Sequence, residues 1–364
     1  MTERVMDDRG DEPERETVLE VSGLSVTFKV PGSGFRRVPL HAVSDVSFEL
    51  APGETLGLVG ESGSGKSTTG RALLRLIEPT EGSVSVGGEE ITGLSRAQLR
   101  RKRREMQMIF QDPYSSLDPS MTIADSLAEA ITEHSDLDAD AVRARSAELL
   151  DEVGLGRHHL DRYPYEFSGG QRQRIAIARA IAVGPRVIVC DEAVSALDVS
   201  TQNQIIKLLE RIQDQEGVGY LFIAHDLAVV RHISDRVAVM YLGRIVEQGP
   251  VERIFAEPMH PYTDALLSAH PVANPERQRA RERTVLVGEL PDPTDPPTGC
   301  AFHTRCPHAF EPCDTELPEL ASVPGGGWVR CHLHTRGPEL DGTSVRVLRA
   351  RSAHGSEAGA AGTA

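Results

Sequence analysis

A glycine-rich stretch at residues 60–67 has the residue types and the spacing of a phosphate-binding loop. It follows the pattern GxxxxGK[ST], and it lies between an apolar run and a helical pattern, the context that gives this pattern meaning. Glycines let consecutive backbone N–H groups turn toward an anion, and the positive end of the following helix adds to the attraction. We expect Lys66 to reach the β- and γ-phosphates of a nucleotide and Ser67 to bind Mg²⁺; a turn that only links strand to helix is the alternative. The predicted nucleotide-binding residues here are Gly60, Glu61, Ser62, Gly63, Ser64, Gly65, Lys66, Ser67 and Thr68.

A pair of carboxylates further along the chain could complete such a site. Asp191 and Glu192 directly follow the apolar run Val187–Cys190, which predicts a buried strand that ends in two acids. Open α/β sheets bind their ligands at the carboxyl ends of the strands. We expect Asp191 to hold Mg²⁺, directly or through water, and Glu192 to polarise the attacking water. For an isolated Asp-Glu pair the alternative is a helix N-cap with one solvated acid.

The elements that must position these residues are apolar strands that alternate with amphipathic helices. This alternation predicts an α/β fold with a parallel sheet covered on both faces. The length of 364 residues favours two domains, or one large domain with an appendage. After about Ile254 the sequence becomes charged and proline-rich, which predicts an extended, irregular appendage. The strand candidates are Leu19–Val30, Thr55–Val59, Met106–Phe110, Val187–Cys190, Tyr220–Ala224 and Val237–Tyr241, and the helix candidates are Lys66–Ile77, Ala141–Val153, Gly170–Ala182 and Thr201–Gln213.

Composition and charge exclude several classes of protein. A net charge of −15 and an aromatic content of 4% argue against binding to nucleic acid. The basic run Arg100–Arg104 is interpreted as a solvated face, with contact to acidic headgroups or a membrane subunit as the alternative. Since no apolar run is long enough to span a membrane and the N-terminus lacks a signal-peptide pattern, we expect a soluble, cytosolic protein.

The segment Phe167–Arg174, FSGGQRQR, resembles the signature motif of the ATP-binding-cassette (ABC) ATPases, with Phe in place of their usual Leu. The resemblance implies that this segment faces the γ-phosphate of an ATP held by a second subunit. A serine N-cap on a surface helix is the alternative. The signature residues assigned to ATP are Ser168, Gly169, Gly170 and Gln171.

Four more positions resemble motifs of this family, in the family's order. Gln111 is similar to the glutamine of the Q-loop, which reaches Mg²⁺ and the water; Asp198 is similar to the aspartate of the D-loop at the dimer interface. His225 resembles the switch histidine at the γ-phosphate, so the implied catalytic residues are Glu192, His225 and Gln111. Phe28 is assigned to adenine stacking, with Phe35 as a competitor. The implied fold is a P-loop cassette with a RecA-like core, an antiparallel β subdomain and an α-helical subdomain.

The C-terminal part of the chain resembles the extension of dipeptide/oligopeptide permease ATPases. The resemblance is carried by Glu257–Leu267, EPMHPYTDALL, by Gly288–Pro291, GELP, and by Gly299–Pro307, GCAFHTRCP. The predicted organisation is a disordered tail at 1–17, a nucleotide-binding domain at 18–254, the extension at 255–345 and a second disordered tail at 346–364.

Four of the five cysteines fall in this extension, namely Cys300, Cys306, Cys313 and Cys331. Structural disulfides are not expected in a cytosolic chain, and no CxxC pair is present, which weakens a zinc-ribbon interpretation. Some members of the family carry a [4Fe–4S] cluster in this region, so the resemblance favours that cluster; zinc and unliganded thiols are the alternatives.

The resemblance implies an ATP-hydrolysing subunit, bound peripherally at the cytoplasmic face of a membrane, that energises an importer of di- or oligopeptides. Implied partners are a second cassette, identical or related, two transmembrane permease subunits that dock near Tyr114–Met121, and, indirectly, an extracytoplasmic solute-binding protein. Transporters of nickel, glutathione or antimicrobial peptides are alternatives, and so is a soluble cassette ATPase without a transport role.

Overall fold

The computed structural model describes residues 16–32, 36–112, 116–269, 288–337, 340 and 342–348. The predicted tails therefore lie largely outside the described residues, as do Phe35 and Tyr114. The strands are β1 Leu19–Pro31, β2 Arg37–Leu50, β3 Thr55–Val59, β4 Glu81–Val86, β5 Glu89–Glu90, β6 Met106–Ile109, β7 Val187–Asp191, β8 Gly219–Ile223, β9 Arg236–Tyr241, β10 Arg244–Pro250, β11 Leu320–Ser322 and β12 Trp328–Arg330. The helices are α1 Lys66–Leu73, α2 Arg96–Lys102, α3 Ile123–Thr132, α4 Ala139–Glu152, α5 Gly169–Ile181, α6 Val199–Glu216, α7 Leu227–Ile233, α8 Val251–Ala256 and α9 Pro261–Ala269.

Two sheets form the framework. The smaller sheet is antiparallel, with the strand order β2-β1-β4-β5. The larger sheet has the order β11-β12-β10-β9-β3-β8-β7-β6, and its strands from β9 to β6 run parallel to one another. The parallel part thus places the carboxyl ends of β3, β7 and β8 on one edge, where the predicted phosphate loop, carboxylates and switch histidine follow.

The parallel strands are buried on both faces, as their continuous apolar runs predict. In β7, Val187 and Val189 pack into the core shared with the smaller sheet and α1, whereas Ile188 and Cys190 pack into the core on the helical side. Since successive side chains of a strand point to opposite faces, this four-residue run needs apolar residues throughout.

Polar residues at the N-cap positions explain where several helices begin. Ser95 and Ser168 each accept a hydrogen bond from the backbone of the glutamine three residues later, and that glutamine reaches back to the serine N–H. Asp198 caps α6 in a similar way through the N–H of Thr201. Such caps satisfy backbone donors that have no partner within the helix.

The predicted helix Lys66–Ile77 is too long, because α1 ends at Leu73. Arg75 adopts a positive φ of 47°, and the N–H of Leu76 returns to the carbonyl of Arg71 at 2.9 Å. The Arg75 guanidinium is held by the carbonyl oxygens of Ile91 and Leu94 at 3.0 and 2.7 Å. The helix therefore ends in a local turn at Arg75, which hydrogen bonds to the distant carbonyl groups of Ile91 and Leu94 stabilise.

The extension is less irregular than its composition predicts. β12 pairs with β10 at the edge of the larger sheet, and β11 pairs with β12. The extension also has a small apolar core of its own, formed by Met259, Val323, Val329, Cys331, Leu333, Leu340, Val345 and Leu348. It thus continues the cassette sheet instead of forming a loose appendage.

Candidate active site

The phosphate loop joins β3 to α1. At the start of the helix, its backbone adopts a conformation that only glycine can occupy. Gly65 is the N-cap of α1 with a φ of 104°, and a Cβ there would lie 2.2 Å from the carbonyl oxygen of Ala42. The loop therefore packs directly on β2, with α1 beginning at Lys66. This is the strand, loop and helix arrangement that binds phosphates at a helix N-terminus.

Lys66 folds back into this loop. Its Nζ donates to the carbonyl oxygens of Gly60 and Glu61, both at 2.8 Å, and to the Ser64 hydroxyl at 3.3 Å. Burial lowers the pKa of Lys66, while Glu192, Asp191 and Glu61 oppose that shift. The ammonium is thus a buried cation held mainly by neutral oxygens, which phosphate oxygens can replace.

Two of the three predicted protein ligands of Mg²⁺, Ser67 and Asp191, lie in direct contact, whereas Gln111 donates to Glu192. The Ser67 hydroxyl donates to Oδ1 of Asp191 at 2.7 Å, and only 3% of the Asp191 side chain is exposed. Arg71 approaches the other oxygen of Asp191 at 3.7 Å. Hydroxyl and carboxylate oxygens are the ligands that Mg²⁺ prefers, so these residues fit that ion.

The three predicted catalytic side chains meet at Glu192. Gln111 Nε2 donates to Oε2 of Glu192 at 2.9 Å, and Nδ1 of His225 lies 3.4 Å from the same oxygen. Glu192 itself has a φ of 51°, an uncommon conformation for a residue other than glycine. Such strain costs on the order of 1–3 kcal/mol and is typical of functional sites. The geometry therefore holds one carboxylate between an amide and an imidazole.

A cleft of about 380 Å³ joins the phosphate loop to Phe28. Phe28 is therefore placed along the same cleft as Lys66, as adenine stacking would require. Sequence reasoning missed the other cleft residues, which carry no local pattern that marks a nucleotide site. These further lining residues are Leu40, His41, Ala42, Leu242, Gly243 and Pro293.

The signature segment does not line this cleft. Ser168 is exposed and caps α5, so the N-cap alternative describes its role within the single chain. Asp198 likewise caps α6, and hydrogen bonds from Ser200 and Thr201 hold the pKa of its carboxyl well below the usual value. Within a single chain, Ser168 and Asp198 therefore do not join Lys66 and Glu192 in the cleft.

The extension reaches the phosphate loop, although it lies far from it in sequence. Arg305 forms an ion pair with Glu61 at 2.8 Å, and the hydroxyl of Tyr262 accepts the N–H of Glu61 at 2.8 Å. Both residues occur in the segments that resemble the permease extension, but their sequence context gave no role for them. The extension therefore contacts the phosphate loop directly.

The four cysteines of the extension are close enough to influence one another. Burial raises the pKa of Cys300 to about 11 and that of Cys306 to about 12, and the other thiols add to both shifts. Cys331, whose pKa burial also raises, interacts with Cys300, Cys306 and Cys313. All four are free thiols.

The predicted metal centre in the extension is not confirmed. Across the described ranges, no group of three or more His, Cys, Asp or Glu side chains is arranged to hold a metal ion. No described helix is both long and apolar enough to cross a membrane.

Two family models match the chain, and together they span both of its parts. The model of the ABC transporter matches residues 43–195, and the model of the oligopeptide/dipeptide transporter C-terminal region matches residues 246–313. The oligopeptide transport ATP-binding protein AppF of Bacillus subtilis is 48% identical over 324 residues, which cover 88% of this chain and 98% of that protein.

Similarity extends to a transporter of another solute and to a solved cassette. The glutathione import ATP-binding protein GsiA of Salmonella typhimurium is 55% identical over 280 residues, which are 76% of this chain but only 45% of that protein. The dimeric post-hydrolysis structure of the ATP-binding cassette MJ0796, bound to ADP and Pi, is 28% identical with a TM-score of 0.57, covering 64% of this chain and 98% of that chain.

Proposed function

The chain belongs to the ABC-transporter ATP-binding proteins of the oligopeptide and dipeptide type, and we propose that it hydrolyses ATP to drive a membrane importer of di- or oligopeptides. The observation that carries the proposal is the convergence of Gln111 and His225 on Glu192, beside the contact of Ser67 with Asp191. A phosphate loop alone would support binding, whereas this convergence supplies a positioned carboxylate for hydrolysis.

The chemistry assigned to these residues is positioning and electrostatic stabilisation of the γ-phosphoryl group. Lys66 exchanges the carbonyl oxygens of Gly60 and Glu61 for phosphate oxygens. Ser67 and Asp191 would hold Mg²⁺, which would supply positive charge to neutralise the phosphates. Glu192 accepts a hydrogen bond from the attacking water, while Gln111 and His225 fix the orientation of its carboxylate.

Two cassettes are needed to complete each site. Ser168 is exposed at the start of α5, where the hydroxyl and the helix N-terminus can meet a phosphate of another subunit. Val199, directly after Asp198, leaves 74% of its surface exposed. These features support a head-to-tail pair, made of two copies or of one copy and a related chain.

Permease subunits are proposed to dock beside the Q-loop, which places the chain peripherally at the cytoplasmic face of the membrane. A groove of about 360 Å³ lies there, with apolar walls from Leu76, Phe110 and Val183. Phe110, adjacent to Gln111, is 38% exposed. A helix seated in this groove would move together with the glutamine that contacts Glu192.

The four thiols of the extension are proposed to bind a [4Fe–4S] cluster. In such a cluster each cysteine binds a different iron, so the sulfurs need not converge on a single ion. The N–H of Cys300 donates to the carbonyl oxygen of Cys313 at 2.8 Å, and all four thiols are free, which supports this donor set. Its role would be structural, since ATP hydrolysis requires no electron.

Anaerobic purification tests this centre directly. We expect about four irons per chain and a broad absorption in the visible range, both lost in Cys306→Ser. Cys190→Ala is the matched control, because Cys190 is buried in β7 and lies outside the extension. A preparation that contains neither iron nor zinc would leave the four residues as ordinary thiols.

Uptake by cells tests the transport function and distinguishes a general peptide substrate from glutathione. Cells that lack the chain are complemented with the wild type or with Glu192→Gln, and uptake of a labelled tripeptide and of labelled glutathione is measured. We expect the wild type alone to restore tripeptide uptake. Restoration of glutathione uptake alone would identify glutathione as the solute. Normal uptake of both compounds in cells that lack the chain would favour a cassette ATPase without a transport role.

A further inference from the structure

Two residues of the extension hold Glu61, the second residue of the phosphate loop. The guanidinium of Arg305 makes a two-pronged ion pair with the carboxylate, with Nη1 to Oε2 at 2.8 Å and Nη2 to Oε1 at 3.2 Å. The Tyr262 hydroxyl accepts the N–H of Glu61 at 2.8 Å. The carbonyl oxygen of Glu61 accepts Nζ of Lys66, so every polar group of this residue has a partner.

The ion pair is shielded from water. Only 8% of the Arg305 side chain and 28% of the Glu61 side chain are exposed. The guanidinium lies 5.9 Å from the ring centre of Tyr241, which packs with Tyr262 and Phe302. Charges in such surroundings are screened much less than exposed ones. Loss of either charge would therefore change the electrostatic potential at the phosphate loop.

The position of Glu61 creates an electrostatic problem for a nucleotide site. Its carboxylate interacts with Lys66, the cation that the phosphates need. A carboxylate in a phosphate loop also repels the polyphosphate itself. A bidentate guanidinium removes both effects, because it neutralises the carboxylate and fixes its direction.

We propose that Arg305 is a positioning residue of the ATP site, through which the extension sets the affinity of the phosphate loop for ATP. Arg305 acts through Glu61 and touches no phosphate. It neutralises the carboxylate through two hydrogen bonds, and Tyr262 accepts the backbone N–H of Glu61 at the same time. Leu290 of the extension also lies near the phosphate loop, 3.9 Å from where a Cβ on Gly63 would stand.

The proposal rests on the proposed function, because it assumes that the loop binds ATP. The experiment uses the full-length chain with Mg²⁺ and a fluorescent ATP analogue, with thermal unfolding measured in parallel. Arg305→Gln should weaken binding on the order of tenfold, because one uncompensated charge now faces the phosphates. Glu61→Gln should bind at least as tightly as the wild type, because the guanidinium of Arg305 then lacks its carboxylate and its charge attracts the phosphates.

The double variant decides between charge and packing. If Arg305 acts by neutralising Glu61, then Glu61→Gln combined with Arg305→Gln should restore wild-type affinity. If Arg305 only holds the extension in place, the double variant should bind as weakly as Arg305→Gln. Arg330→Gln is the matched control, since Arg330 joins the extension to Asp45 of β2 at 3.3 Å, through an ion pair outside the phosphate loop.

The outcomes are distinct from those that test the proposed function. Unchanged affinity in Arg305→Gln, or a double variant that stays weak, would overturn the role of Arg305. Wild-type binding in Lys66→Ala would instead contradict the ATP site itself. Should Arg305→Gln fail to fold, Arg305→Lys keeps the charge while losing the two-pronged geometry, and affinity within about threefold of the wild type supports the charge argument. A tenfold loss in that folded variant would contradict it.

Discussion

At the scale of single residues, the site depends on one cation and one carboxylate. Lys66 is buried among carbonyl oxygens and is therefore poised to exchange them for phosphate oxygens. Glu192 is held by an amide and an imidazole in a backbone conformation that few residues adopt. The first residue serves binding and the second serves turnover, so their substitutions should have different effects.

Lys66→Ala should abolish detectable ATP binding, because it removes the charge that faces the phosphates while the loop glycines remain. Equilibrium binding of ATP by the purified chain measures the effect. Lys207→Ala is the matched control, since Lys207 is exposed on α6, and it should bind as the wild type does. Equal affinities for the two variants would mean that this loop does not hold the phosphates.

At the scale of elements, local sequence predicts the parallel strands well because they are buried apolar runs with clear limits, whereas β2, β4 and β10 of the antiparallel parts are not among the predicted strands. β3 has the predicted bounds, and β7 differs from its prediction only by including Asp191. The end of α1, by contrast, involves the distant carbonyl groups of Ile91 and Leu94. The strands β11 and β12 are only three residues long. Neither the end of α1 nor such short strands produce a pattern of apolar residues in the sequence from which they could be predicted.

Ser168→Arg should leave ATP binding by the isolated chain nearly intact and abolish ATPase activity, because a bulky cation at the start of α5 blocks closure on a second subunit. Ser95→Arg is an unusually close control. Ser95 caps α2 through the same pairing with a glutamine three residues later, so both variants lose a cap worth about 0.5–2 kcal/mol. Binding and phosphate release are measured for both. Weak binding in Ser168→Arg alone would place this serine in its own chain's nucleotide site.

At the scale of the whole molecule, the cassette and its extension behave as one folded unit. Glu247 of β10, fully buried, pairs with Arg253 and accepts the N–H groups of Met259 and His260 at 2.9 Å. β12 extends the sheet, and Arg305 reaches the phosphate loop. The sequence motifs predicted both parts, but the contact between Glu61 and Arg305 spans 244 positions and cannot be read from local pattern.

Arg253→Met should destabilise the protein by about 3–5 kcal/mol, because it leaves the buried carboxylate of Glu247 without its cation. Chemical denaturation measures the free energy of unfolding. Arg231→Met is the control, since Arg231 pairs with Glu252 at 3.5 Å where both side chains are exposed, and exposed pairs contribute about 0–1 kcal/mol. Equal losses of stability in the two variants would show that the buried pair contributes no more to folding than the exposed pair.

The central claim is that Glu192 activates the water that hydrolyses ATP bound at the phosphate loop. The most direct test loads the chain with ATP that carries a labelled α-phosphate, which ATP and ADP both retain, quenches the mixture with acid and measures the ratio of ATP to ADP on the protein. The wild type and the exposed-surface control Glu216→Gln should convert ATP to ADP. Glu192→Gln should retain ATP, with turnover lowered by about 10²–10⁴-fold. Wild-type conversion to ADP in Glu192→Gln would contradict the account.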